Sequence, residues 1–359
     1  MESVQPLKDY IVDKLQEIKQ LDPNDRKVQI AAGASMVTAI YLYMKLTSKR
    51  NFWDDVPPYK RDTAKSIADP RHSSALERCS KPSDMLQICL ADAGPASAAP
   101  ITVLELWNAA ERNGGDRPCF GWEEEQKDGE WKYVFCSWKE AGIEFRKIAR
   151  ALIGLKVQQF DVCNIIGGCS PMFHQIYWGT MFAGAVPGGC YTTNNSGALQ
   201  HIANLCKTKL VFAEDRSQLN KYLEIADALD TVKYIVVYDD EGFDSKDPKY
   251  GNLTVLRNIK LMNFTEFMAF EGIKGTNQEQ QKREKAVNPR QCACLIYTSG
   301  TTGGSKGCML SHDNIVYAFM AATETYLASG GKYPDHVRMV SYLPLSHIAG
   351  AGISWYVLL

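Results

Sequence analysis

Nine consecutive residues, Thr298, Ser299, Gly300, Thr301, Thr302, Gly303, Gly304, Ser305 and Lys306, include only threonine, serine, glycine and lysine. That mixture suits a polyphosphate. Gly300, Gly303 and Gly304 let the backbone turn its N–H groups toward oxyanions with no Cβ in the way. Thr298, Ser299, Thr301 and Thr302 add hydroxyl donors, and Lys306 brings a point charge suited to the outer phosphates. The spacing is not that of a Walker A loop, because GxxxxGK[ST] cannot be aligned to it. Short Gly/Ser/Thr tracts are often plain linkers. This one is squeezed between a β-prone run ending at Tyr297 and an apolar run, Cys308 to Leu310. The side chains of Ser311, His312, Asp313 and Asn314, suited to capping a helix, follow it. A linker needs none of that framing.

A second candidate is MVSYLPLSHIAGAG, Met339 to Gly352. Met339–Leu343 reads as a strand, Pro344 stops it, and Ser346–His347 would stand at the C-terminal edge of a sheet, where open α/β sheets place ligands. Other chemistry-bearing residues read more plainly. Gly167–Gly168 follows a strand, but G-x-G-x-x-G is absent, so a dinucleotide fingerprint has little support. His174 and His201 sit on predicted helices and read as packing or surface residues. Cys292 and Cys294, two apart on a strand, would share one face. With no His or Cys pair near them they read as core thiols, and no metal ligand is assigned.

The elements that must position these residues alternate regularly. Thr102 opens an amphipathic helix through Val103, Leu106, Ala109 and Ala110, and a hairpin turns at Asp128–Gly129. Ser137 begins a helix running to Leu152. Strands are predicted at Val162–Ile166, Ala185–Gly189, Leu210–Ala213, Tyr234–Tyr238 and Cys292–Tyr297. Helices are predicted over Met172–Gly184, Ser196–Cys206, from Arg216, Phe264–Phe270 and Asn314–Leu327. Asp239–Lys260 reads as a polar excursion and Thr276–Arg290 as a charged loop. Such alternation indicates an α/β fold, a parallel sheet flanked by helices on both faces.

Three parts are expected: a helical arm over residues 1–50, a Pro/Ser/charge-rich linker over 51–100, and a domain over 101–359. Within the arm, Val28–Leu46 is nearly free of charge. Its length is marginal for a bilayer span, which needs about 20 apolar residues. It starts too late for a signal peptide and lacks a clean cleavage site, leaving a buried helix-pairing segment or a membrane anchor with Tyr41 and Tyr43 at its edge. With 40 basic and 41 acidic residues, the chain offers nothing that points to nucleic acid as a partner. Its 11 cysteines are odd in number, with no C-x-x-C pair, which fits a reducing compartment.

YTSGTTGGSKG, Tyr297 to Gly307, resembles the phosphate-binding signature of the adenylate-forming (AMP-binding) superfamily. One departure is Ser305, where the family usually has proline and therefore a fixed φ. The strings at 165–170, 178–184, 188–195, 264–272 and 342–350 are similar to the bubblegum branch of long-chain acyl-CoA synthetases; the resemblance covers about residues 100–359. It implies that this chain carries a partial N-terminal domain of such an enzyme. It implies further that residues 298–306 hold the phosphates of ATP with Mg2+, and that His347 lies beside the acyl carboxylate as the catalytic candidate. The implied reaction joins a fatty acid to CoA in two steps. The carboxylate attacks the α-phosphate of ATP to give acyl-adenylate and pyrophosphate, and the CoA thiolate then displaces AMP. Positioning and neutralising anions is most of that task. The family's later signatures, which read adenine and ribose and carry the catalytic lysine, are not found in these 359 residues. The expectation is therefore of a front half that is inactive alone. A non-catalytic regulatory product, or an adenylating enzyme for another carboxylic acid, are the alternatives. The expected location is the cytoplasmic side of an intracellular membrane such as the endoplasmic reticulum, or the cytoplasm.

Overall fold

Strand and helix exchange along the chain until seven strands lie in one sheet. The computed structural model describes residues 81–85, 95–126, 128–250, 258–298, 304–330 and 338–356. The arm over 1–50, with its apolar stretch Val28–Leu46, and most of the linker lie outside the described residues. Among the described residues no helix is long and apolar enough to cross a membrane.

Helix α1 (Val103–Gly114) starts at Thr102, whose hydroxyl accepts from the Glu105 N–H while the Glu105 carboxylate accepts from the Thr102 N–H. The hairpin β1 (Pro118–Glu125) and β2 (Trp131–Ser137) forms a separate two-stranded sheet. Ser137 and Glu140 repeat the capping box at the start of α2 (Trp138–Gly154). Then follow β3 (Val162–Ile166), α3 (Pro171–Phe182), β4 (Val186–Cys190), α4 (Ser196–Leu205), β5 (Leu210–Ala213), α5 (Arg216–Leu223) and β6 (Tyr234–Val237). The series continues with β7 (Lys260–Asn263), α6 (Phe264–Met268), α7 (Thr276–Ala286), β8 (Cys292–Thr298), β9 (Lys306–Ser311), α8 (His312–Ala328) and α9 (Ile348–Tyr356). The order across the sheet is β7-β6-β5-β3-β4-β8-β9. Neighbouring strands from β7 through β8 run parallel, and β9 is antiparallel to β8.

Alternation along the strands divides the core in two. Cys163, Ile165, Phe212 and Val236 face a cluster rich in aromatics, with Trp107, Phe145, Trp178 and Phe182 from α1, α2 and α3. Val162, Ile166, Val211, Ile235 and Tyr297 face the other cluster, with Leu199 and Ile202 of α4 and Leu219 and Tyr222 of α5. One polar chain crosses the second side. The Tyr297 hydroxyl donates to the Asn164 side-chain oxygen at 2.5 Å, and the Asn164 amide donates to the Thr208 hydroxyl at 2.9 Å. Strand β4 lies between β8 and β3, and Gly188 opens the way: a Cβ there would stand 2.4 Å from the Tyr297 hydroxyl.

Four expectations need correction. Thr276–Arg290 is not a loop, since most of it is α7. Buried polar anchors hold this almost wholly polar helix: the Arg283 guanidinium donates to the Val157 and Ala183 carbonyls and to Glu279. The polar excursion ends by forming strand β7, and it buries Phe243 and Tyr250 against the second cluster. Met339–Leu343 is not a strand: it pairs with no strand among the described residues, and Met339, Val340 and Tyr342 are exposed. Cys292 and Cys294 do not share a face. A register shift between them in the β8–β9 ladder sends Cys292 to one cluster and Cys294 to the other. Both are buried, and burial pushes both thiols up, Cys294 to about 12.

Candidate functional site

The C-terminal ends of β3, β4 and β8 come out along one edge of the parallel sheet, and the predicted site residues collect there. Strand β8 is buried from Cys292 through Tyr297, and Thr298 is its first exposed residue. Across the ladder Thr298 faces Lys306, the exposed first residue of β9. Thr298 and Lys306 thus close the β8–β9 ladder from the two ends of the hydroxyl-and-glycine tract, and both strands belong to the sheet. Ser299, Gly300, Thr301, Thr302 and Gly303 lie outside the described residues. Gly304 and Ser305 lead into Lys306. At the end of β9, Ser311 caps α8, its hydroxyl accepting from the Asn314 N–H while the Asn314 side-chain oxygen accepts from the Ser311 N–H. Of the four expected capping residues, Ser311 and Asn314 cap, whereas His312 and Asp313 lie in the first turn and the His312 Nδ1 accepts from the Val103 N–H.

Two contacts seat the returning arm on α4. His201 Nε2 lies 2.9 Å from the Ser305 carbonyl oxygen, and a Cβ added to Gly304 would meet the same imidazole at 2.6 Å. Asn195 caps α4, its side-chain oxygen accepting from the Ala198 N–H. His201 was legible only as a surface or packing histidine. Its partner lies 104 residues away, a pairing that only the order of β4 and β8 in the sheet reveals.

His347 sits above the end of β4, the strand next to β8. Its ring centroid is 6.4 Å from that of Tyr191, just beyond β4, and Ser346 packs on Gly189, where a Cβ would meet the Ser346 Cα at 2.7 Å. The Cys169 thiol donates to the Leu343 carbonyl at 2.9 Å, tying the same segment to the end of β3. His347 is exposed, and its Nδ1 accepts the Ala349 N–H at 3.0 Å. That leaves Nε2–H as the donor of the neutral ring. Met339–Leu343 fails as a strand, yet His347 still reaches the edge at which the sequence placed it.

Gly167 and Gly168 do a different job. The Gly168 N–H donates to both oxygens of the Glu214 carboxylate at 3.1 Å, and a Cβ at Gly167 would overlap the Tyr238 hydroxyl. The pair is a packing device whose N–H is already occupied by the protein's own anion. Partial burial, with Asp215 and Asp239 adding to it, pushes the Glu214 carboxyl up against the opposing Gly168 bond. His174 is buried beside Phe120, with ring centroids 5.1 Å apart, far from any phosphate role.

The profile of the AMP-binding enzyme family matches residues 106–359. A long-chain-fatty-acid–CoA ligase of Xenopus laevis is 32% identical over 264 residues, which are 74% of this chain and 33% of that protein. One from Homo sapiens is 33% identical over 71% of this chain and 35% of its own length. This chain therefore spans about a third of the length of the curated relatives it matches. Among solved structures, the A domain of carboxylic acid reductase from Segniliparus rugosus, in complex with AMP and a co-purified carboxylic acid, matches with TM-score 0.54 and 20% identity, covering 74% of this chain and 46% of that one. A natural red-emitting luciferase from Phrixothrix hirtus matches with TM-score 0.54 and 15% identity over 75% of this chain and 47% of its own. At those identities the likeness is one of fold.

Proposed function

Because this chain belongs to the AMP-binding enzyme family, we propose that the whole protein is an ATP-dependent long-chain fatty acid–CoA ligase working through an acyl-adenylate. The observation that carries the reading is the pairing of Thr298 with Lys306, both exposed, at the sheet's C-terminal edge, the two ends of the tract of hydroxyls and glycines. Thr298, Ser299, Gly300, Thr301, Thr302, Gly303, Gly304 and Ser305 would surround the β- and γ-phosphates, and the Lys306 ammonium would neutralise them. His347, exposed and with Nε2–H as its donor, would donate to the fatty acid carboxylate and hold it in line with the α-phosphate.

Among the described residues no cluster of three or more His, Cys, Asp or Glu could hold a metal. The donors present here suit phosphate better than a metal ion. Mg2+ would accordingly arrive with ATP, held chiefly by the phosphates, and would spread their charge. CoA is the proposed acyl acceptor. The similarity to long-chain-fatty-acid–CoA ligases supports that substrate pair. Val28–Leu46 would hold the enzyme at the cytoplasmic side of an intracellular membrane, where long-chain fatty acids partition. Alkaline carbonate extraction of residues 1–50 fused to a soluble reporter tests this, and complete release excludes a span.

The function itself is tested by fatty acid-dependent exchange of pyrophosphate into ATP by the whole protein. Exchange is expected with long-chain acids and should disappear in Lys306→Met. Exchange driven only by amino acids or aryl acids would overturn the substrate assignment.

A further inference from the structure

Building on the reading that Lys306 faces the phosphates of ATP, we infer that His201 is a positioning residue for that lysine, fastening the arm Gly304–Lys306 onto helix α4. The Ser305 carbonyl can only accept, so the 2.9 Å contact makes His201 Nε2 the donor and sets which ring nitrogen carries the proton. A side chain at Gly304 would stand 2.6 Å from Nε2 and within 2.9 Å of Cδ2 and Cε1, so the backbone passes directly over the ring. Only glycine permits that approach. Beyond Lys306, a Cβ at Gly307 would lie 3.2 Å from the sulfur of Cys206, at the end of the same helix. The residues on both sides of Lys306 are thus seated on α4, while the lysine itself stays exposed.

Ser305 makes the fastening necessary. A proline there would fix φ from within the chain, whereas serine leaves that torsion free and the restraint has to come from outside. The imidazole supplies it through the one group of Ser305 that any residue would offer, its carbonyl. The arm's position depends on a side chain that occupies neither the nucleotide site nor the sheet.

The test uses the full chain with three changes, His201→Leu, His201→Gln and Ser305→Pro. Amide hydrogen exchange is followed over 304–307 without ligand, and ATP binding is followed by calorimetry. His201→Leu should speed exchange in that segment and weaken ATP binding about three- to ten-fold, the worth of one hydrogen bond, while the thermal midpoint stays put. In the whole protein the change should fall on KM for ATP and leave KM for the fatty acid unchanged. His201→Gln, whose amide can donate to the same carbonyl, should recover most of the loss. Adding Ser305→Pro to His201→Leu should recover it independently. Unchanged exchange over 304–307 in His201→Leu would overturn the inference. If exchange responds as expected but even the unaltered whole protein fails to bind ATP, the phosphate reading falls, and with it the claim that Lys306 is positioned for a nucleotide.

Discussion

Two antiparallel hairpins in this chain are nearly the same length, β1–β2 with strands of 8 and 7 residues and β8–β9 with strands of 7 and 6. Local chemistry alone would rank the first as the better hairpin. It turns at Asp128–Gly129, with Gly129 at φ +81°, and pairs without interruption from Phe120↔Cys136 to Glu125↔Trp131. Its outer face nevertheless shows Trp131, Tyr133 and Phe135 at 63%, 67% and 57% exposure. The second hairpin differs in one respect: β8 has another neighbour, the parallel strand β4. That neighbour buries β8 and delivers Thr298 to the sheet edge where β3 and β4 also end. What makes a hairpin tip a candidate site here is the strand's second partner, not the turn.

The sharpest way to break this comparison is Tyr297→Ala, which removes a fully buried ring from β8. A loss of about 3–5 kcal/mol in urea unfolding is expected, with ATP binding lost alongside it; a smaller loss than that of any β1–β2 surface change would reverse the ranking. Next comes Lys306→Met, which should reduce ATP affinity by about ten-fold or more, on the order of 1.5–3 kcal/mol for a hydrogen bond to a charged group. Because Lys306 is exposed, its thermal midpoint should match the parent's.

A pH series probes the two roots. His174 packs under β1 against Phe120, and His312 follows β9, its Nδ1 accepting from the Val103 N–H at 3.3 Å. Burial pushes both imidazoles down from 6.5 to about 4. A base depressed by folding takes up its proton first in the unfolded chain. Stability is therefore full above about pH 6.5 and falls as pH drops toward about 4. His174→Asn should remove up to one proton of that slope, about 1.4 kcal/mol per pH unit, and His312→Asn the same; an unchanged slope in denaturant titrations at several pH values would show that the imidazole is not shielded. The smallest effect belongs to Trp131→Ser, within about 0.5 kcal/mol and without influence on ATP.

Much of this was legible because the relevant signals are local. Leu210–Ala213 is an all-apolar run between turn residues, and it is a central strand with those bounds. Thr102, Ser137 and Ser311 each stand three residues before a partner that completes the cap. What escaped depends on distant partners. Helix α7 lacks an apolar stripe, because its inward residues are Gln280 and Arg283, and their partners lie at residues 157, 182 and 183. Met339–Leu343 carries strand-like side chains but pairs with no strand among the described residues. Strand β9 exists because β8 pairs with it, and the shift at Cys292/Cys294 is a property of that pairing. In the site, His347 was findable from its own string, whereas His201 was not, since nothing near it in sequence hints at Ser305.

Strand β8 is matched to β4 at only Gly188↔Leu295 and Gly189↔Ile296, so the ladder alone leaves room for slippage. The Tyr297–Asn164–Thr208 chain removes that freedom. A molecule threaded one residue out of step would swing the phenol to the opposite layer and strand an amide in a dry interior. Folding thereby proofreads that edge: only a correctly indexed sheet brings Thr298 and Lys306 together at it.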